Sequence, residues 1–493
     1  VEPLVSIAQG AMRGAAHDGV LSFKGIPYAA APDGRRRFTA PSPAPHWDWL
    51  RDATGYGPTA PKPPYPDPLA KLLPEPVIAG DDYLNLNVWT PDLDGRLPVL
   101  VWLHGGAFVH GSGAVSLYDG TAFARDGVVC VTVNYRLGAE GFLLIDDAPA
   151  NRGVLDQLAA LRWVRENIGC FGGDPDRVTV AGESAGAMSV TTLLSMPESA
   201  GLFGRAVAQS GAGHHVMAAE TARRVTAALA EQLSVPPTVE GFASVPATDL
   251  TAAQAELSAR IAREPNPELW GEIAADSMAF EPCVDGEVLT ARPVDALAAG
   301  AGADVDLLIG TNADEFTLFL TPTGIADAVG EDALALTATA LGLDAATALP
   351  AYHRARPGST PGDVLAAVLR DRTFTIPAIR AAEARADHAA DTFVYEFAWP
   401  SPQFDGRLGA THGLEISFVF DTLHDAAGRP LAGAQPPQEL ADEMHRAWVS
   451  FVDKGNPGWP AYGSDRTVRR FGADDPLVTD PNPTLRALWD GVR

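Results

Sequence analysis

The sequence predicts an α/β fold: a large, mostly parallel, twisted central sheet flanked by helices, with long loop and helical insertions. Three observations carry this. Strand-like and helix-like segments alternate, the pattern of parallel strands joined by crossover helices. The segments 98–103 and 128–134 are continuous apolar runs with β-branched residues, as expected for strands covered on both faces. The pentapeptide Gly182-Glu183-Ser184-Ala185-Gly186 stands between an apolar strand at 178–181 and a helical segment at 184–196. Strand, sharp turn and helix is the setting in which such a serine is exposed as a nucleophile.

Taken in order, the first 60 residues read as short strands and turns, with an alternating stretch at 20–28. Prolines are dense from Pro58 to Pro76, which predicts a long extended surface loop, either a rim over the site or a disordered segment. Strands are predicted at 83–89, 98–103 and 128–134, a helix at 156–167 closed by Gly169, the strand–turn–helix, and a strand at 205–209. The Ala-rich stretch 218–276 carries no strand signal and reads as a helical insertion covering the sheet or the site. Strands follow at 305–310 and 392–397, with helical segments between about 326 and 390. An amphipathic helix at 442–454 stops at Gly455.

Composition bounds the function. Length alone, 493 residues, would suggest about three domains, but no linker and no internal repeat divides the chain, so one domain over 1–493 is expected. The net charge of −26 argues against sequence-independent nucleic-acid binding and reads as a solubility feature. No apolar run is long enough to span a membrane. The three cysteines, Cys130, Cys170 and Cys283, form no disulfide framework. The N-terminus has neither a basic n-region nor an apolar h-region, so a cytoplasmic location is expected. A first residue other than Met leaves secretion after processing open. A monomer or weak homo-oligomer is expected.

A serine hydroxyl is a poor nucleophile without a base to take its proton, and in this type of fold the partners follow in the order Ser, acid, His. Of the histidines beyond residue 315, His412 lies in a Gly-containing loop after a predicted strand, where a base has room to reach the serine. His424 is the runner-up, whereas His353, His388 and His445 read as surface or packing residues. The acid should leave the strand 305–310, and either Asp314 or Glu315 fits. Gly-rich His104-Gly105-Gly106-Ala107-Phe108, after an apolar strand, suits backbone N–H groups that face a developing oxyanion. Chance alone would give roughly 0.2 pentapeptides of this type in such a chain, so the partners carry the argument.

These residues resemble the type-B carboxylesterases, which share the cholinesterase-like α/β-hydrolase fold. The match includes Asp82-Tyr83-Leu84-Asn85-Leu86-Asn87-Val88, Asn134-Tyr135-Arg136-Leu137-Gly138, Phe171-Gly172-Gly173-Asp174-Pro175, Gln209-Ser210-Gly211 and Gly413-Leu414-Glu415-Ile416. The resemblance implies Ser184 as nucleophile, His412 as base and Glu315 as acid. It implies oxyanion donors from Gly106, Ala107 and Ala185, with Glu183 and Ser210 beneath the triad. It implies hydrolysis of small carboxylic esters with no metal or organic cofactor.

Tyr83 stands where many animal members carry a disulfide-forming Cys, so the chain is similar to the bacterial p-nitrobenzyl esterases. No Trp occurs between Trp49 and Trp89, which speaks against choline esters. His214, His215, Val216 and Met217, in place of a large aromatic, predict a roomier acyl pocket. Two rival functions are weighed: an amidase, lactone, carbamate or other xenobiotic hydrolase on the same triad, and a non-catalytic binding protein.

Overall fold

A computed structural model describes residues 2–276 and 278–492. Its main sheet has eleven strands: β1 (Ala15–His17), β2 (Val20–Pro27), β3 (Asn85–Thr90), β4 (Leu97–Leu103), β5 (Val129–Val133), β6 (Gly173–Glu183), β7 (Arg205–Gln209), β8 (Asp306–Asn312), β9 (Thr392–Phe397), β10 (Thr467–Phe471) and β11 (Leu477–Thr479). Across the sheet they run β11-β10-β9-β8-β7-β6-β4-β5-β3-β2-β1. Every pairing from β5 through β10 is parallel, and the pairings at both edges are antiparallel.

Val99 to Leu103 and Val129 to Val133 are buried throughout, so these two stretches need no polar face. Because β4, β6, β7, β8 and β9 are parallel, their carboxyl ends share one edge of the sheet. The loops bearing residues 104–111, 184, 210, 315 and 412 all leave from that edge, where open α/β sheets bind ligands.

Most predicted elements are present, with shifted ends. The third strand begins at Asn85, because Tyr83 is drawn out of the ladder to donate to Glu140. The helix expected at 156–167 is α1 (Arg152–Asn167) and starts a turn earlier. Arg152 is buried there and donates to the carbonyls of Glu140, Ala139, Leu143 and Pro149, so a residue that reads as polar surface belongs to the interior. The elbow helix is α2 (Ala185–Leu194). In the 218–276 insertion, α3 (Ala219–Leu233) packs on α4 (Ala247–Arg263), and Gln254 accepts from the amide of Ala139. The insertion therefore covers a flank of the fold, and none of the described residues lining the serine's cleft comes from it.

Met217–Ala218, at its entry, forms a two-residue strand beside Cys283–Val284, too short to carry a sequence pattern. The amphipathic helix α5 (Gln438–Lys454) begins four residues before the predicted 442. Edge strands β10 and β11 fall outside the predicted elements, since Thr467-Val468-Arg469-Arg470-Phe471 is too charged to read as a strand.

Two matched motifs turn out to be interior scaffolding. Arg136 is buried and grips Asp156 through Nε (2.8 Å) and Nη2 (2.6 Å), while Nη1 donates to the carbonyls of Arg37 (3.1 Å) and Thr39 (2.6 Å). Asn134 accepts from Gly113 N–H at 2.7 Å and donates to Asn85 Oδ1 at 3.1 Å. Paired this fully, buried polar groups fix one arrangement of the loops behind the site.

Candidate active site

The site starts from the elbow. Ser184 has φ 55° and ψ −123°, a backbone state costly for any residue with a side chain. It is held by the bond from its own amide to Gln209 C=O (2.9 Å) and by Met188 N–H donating to its carbonyl (2.9 Å). The flanking glycines have steric reasons. A Cβ on Gly182 would lie 2.5 Å from the carbonyl carbon of Gly186, and one on Gly186 would lie 2.0 Å from Leu103 O. Strand β6 can turn into α2 this sharply only because both positions lack a side chain. Ser184 is half-buried and lines an open cleft with Tyr65, Gly106, Leu318 and Phe319.

His412 lines the same cleft. Its Nδ1 is 2.7 Å from Glu315 Oε2, and Glu315 is fully buried, its other oxygen accepting from Asn312 N–H at 2.8 Å. Of the two candidate acids, Glu315 is the one hydrogen-bonded to the His412 ring. Asp314 faces away, paired with Arg356 Nη1 at 2.9 Å and accepting from Ala410 N–H at 3.1 Å. His424 is exposed, and His445 is buried against Val419 C=O and Asp126. The ring of His412 is flanked by Phe374 (4.8 Å between centroids) and Phe319 (5.6 Å).

Sequence reasoning missed two features of this cluster. Glu183 Oε1 stands 3.2 Å from His412 Nε2, the nitrogen that would face the serine. Glu415, also fully buried, accepts from Asn312 Nδ2 (2.6 Å) and Gln209 Nε2 (3.2 Å). Burial pushes Glu183 and Glu415 above the ordinary carboxyl range, with neighbouring carboxylates adding to the effect. Burial alone would pull His412 down. Glu183, and then Glu315, outweigh it and hold the imidazole up at about 9. Glu183 and Glu415 are visible as matched motif residues, but only the fold shows Glu183 against the His412 ring and Glu415 buried on Asn312 and Gln209.

The turn after β4 lies against the elbow: a Cβ on Gly105 would sit 2.7 Å from Glu183 Oε2 and 3.0 Å from Ser184 Cβ. Gly106 (φ 115°), Ala107 (φ 50°) and Phe108 (φ 60°) are consecutive left-handed residues that turn the chain around the cleft. Gly106 and Ala107 line the cleft beside Ser184, and Ala185 is the first residue of α2, where a helix leaves its N–H free of an internal partner. Ser210 (φ 52°) donates from its amide to Gly310 C=O at 2.8 Å. The following Gly211 would place a Cβ 2.5 Å from Ser184 O, so this segment lies directly beneath the elbow. No group of three or more His, Cys, Asp or Glu side chains arranged to hold a metal occurs among the described residues.

The carboxylesterase family model matches residues 1–467. The chain belongs to the carboxylesterase family. Among its relatives, the para-nitrobenzyl esterase of Bacillus subtilis is 39% identical over 98% of this chain and 97% of its own length. The phenmedipham hydrolase of Pseudarthrobacter oxydans is 34% identical over 97% and 94%. A crystal structure of a Geobacillus stearothermophilus carboxylesterase superposes with a TM-score of 0.85 at 37% identity, covering 99% of both chains. A PNB esterase structure superposes with 0.86 at 36% identity, again over 99% of both. The family fold is the α/β-hydrolase fold, and this carboxylesterase is a carboxylic ester hydrolase acting on small-molecule substrates. A non-catalytic binding protein is thereby set aside.

The Pro-rich segment of the carboxylesterase is the predicted rim. Tyr65, Leu69, Leu73 and Pro74 line the cleft, and Leu69–Lys71 forms a 3₁₀ turn inside what reads as uninterrupted extended chain. Of the segment expected at the acyl pocket, two residues face another cavity. His214 and His215 line a separate cavity, and His215 Nε2 contacts Thr373 O at 2.9 Å. None of the described residues lining the Ser184 cleft comes from 214–217.

Proposed function

We propose that this carboxylesterase works through an acyl-enzyme on Ser184, with His412 as general base and acid and Glu315 as the residue that orients the imidazole. The observation that carries the reading is the Glu315–His412 bond of 2.7 Å at the wall of a cleft that a strained, half-buried serine also lines. Glu315 accepts the Nδ1 proton, which leaves Nε2 as the basic nitrogen. Ser184 Oγ attacks the ester carbonyl while Nε2 takes its proton, and His412 then passes that proton to the departing alkoxide. Water repeats the sequence against the acyl-serine and releases the acid. The N–H groups of Gly106, Ala107 and Ala185 receive the oxyanion, each worth about 3–4 kcal/mol in comparable sites.

Glu183 has a role beneath the triad that the geometry supports: its carboxylate faces Nε2 and stabilises the imidazolium that forms during attack. Ser210 supports the elbow from below. Cleft walls of Leu69, Leu73, Leu117, Leu318 and Phe319 favour uncharged esters with apolar or aryl groups. Ser184→Ala tests the core of the reading. Turnover of a p-nitrophenyl ester should be lost with the fold intact, and near-full activity would sink it. A panel of acyl chain lengths, aryl esters, amides and carbamates then separates an esterase from a broader hydrolase on the same triad.

A further inference from the structure

The Pro-rich segment begins and ends on one buried ion pair. Lys62, whose side chain is 1% exposed, lies 2.6 Å from Glu75 Oε1. Both groups also reach the same residue of the β4 turn: Lys62 Nζ donates to Gly111 C=O at 2.9 Å, and Glu75 accepts from Gly111 N–H at 3.2 and 3.3 Å. Gly111 in turn backs directly onto the oxyanion side of that turn. With φ 90°, its missing Cβ would fall 2.2 Å from Gly105 O, and a Cβ on Gly106 would fall 2.4 Å from His110 O. Between the two charges, Tyr65 stacks on His110 at 4.1 Å, while Leu69, Leu73 and Pro74 wall the cleft.

We propose that the Lys62–Glu75 pair is a latch that positions the oxyanion donors: it pins the back of the 105–111 turn through both polar groups of Gly111 and closes the 62–75 rim over the substrate. A buried ion pair is a poor way to gain stability, since desolvation offsets most of the attraction. Its geometry here, two charges on the N–H and C=O of one residue, is suited to fixing a backbone. A turn that shifts by about an ångström loses transition-state contacts, which costs on the order of 100-fold in rate. The proposal rests on the Ser184 reading and adds Lys62 and Glu75 as positioning residues.

The test uses Lys62→Met and Glu75→Gln in the full chain, with active sites counted by burst titration. The probe is a trifluoromethyl ketone, which captures Ser184 as a hemiketal whose oxyanion occupies the donors. The matching trifluoromethyl alcohol, which forms no such adduct, is the reference. In Lys62→Met, kcat per titrated site should fall about 10–100-fold and ketone affinity by the same factor, with KM and alcohol affinity within about threefold. Glu75→Gln keeps an acceptor for Gly111 N–H and should lose about 3–10-fold in the same pattern, and it decides the matter if Lys62→Met does not fold. An unchanged ratio of ketone to alcohol affinity in the folded variants would overturn the latch, whether or not stability falls. A parent enzyme that forms no adduct at Ser184 would overturn the nucleophile reading itself, and the latch with it.

Discussion

Replacing Glu183 by Gln should move the pH dependence of the enzyme. Glu183 Oε1 lies 3.2 Å from His412 Nε2 and is the strongest influence holding the imidazole up at about 9. A full charge pair at that distance in an effective dielectric of about 20 is worth about 5 kcal/mol, a ceiling of roughly 4 pH units. Burial raises Glu183 to about 8, still below His412, so it is largely ionised where His412 titrates, and a nearby opposite charge ordinarily moves a pKa by about 1–3 units. The sign follows from which form works. Ester attack needs neutral His412, so parent activity should rise with pH towards about 9. In Glu183→Gln the rise should occur about 1–3 pH units lower. The assay is kcat/KM on a p-nitrophenyl ester from about pH 5.5 to 10, which reports ionisations of the free enzyme. Coincident inflections in parent and variant would refute the argument that Glu183 sets the basicity of His412.

Four further variants test other parts of the structure. Glu315→Gln should lower kcat by about 10⁴-fold by removing the acceptor that fixes the imidazole tautomer. Asp314→Asn, which only weakens a brace to Arg356 and Ala410, should instead cost about 1–3 kcal/mol of stability and leave kcat nearly unchanged, as steady-state kinetics and urea melts would show. Gly186→Ala places a Cβ 2.0 Å from Leu103 O, so it should destabilise by at least about 1–3 kcal/mol and yield little active enzyme, measured as soluble yield and titrated sites. Arg136→Met strands the buried charge of Asp156 and should cost about 3–5 kcal/mol in the urea midpoint, far from the chemistry.

How far the sequence reaches depends on whether a feature is local. The elbow is local: two glycines, an apolar strand and a helix occupy about twenty consecutive residues, so Ser184 stands out from the sequence alone. A parallel sheet with a common edge follows from the alternation of strands and helices, so the loops that must meet are identifiable in the chain, whereas the strand order emerges only in the fold. The acid is not local. Asp314 and Glu315 are adjacent and chemically alike, and only the turn after β8 points one at His412 and the other at Arg356.

The Glu183–His412 contact joins residues 229 apart, and nothing near either residue announces it. Lys62 and Glu75 sit in a stretch whose prolines speak only of missing helix and strand. An ordered loop held by one ion pair has the same composition as a disordered one. His214 and His215 line a cavity separate from the Ser184 cleft, a placement that their side chains alone do not announce.

The most direct test of the central claim is peptide mapping by mass spectrometry after brief reaction with a slowly deacylated aryl ester. One acyl group per active site should form on Ser184, absent in Ser184→Ala and formed far more slowly in His412→Ala. An acyl group on any other residue, or rapid turnover with Ser184 unmodified in the quenched enzyme and intact activity in Ser184→Ala, would contradict it.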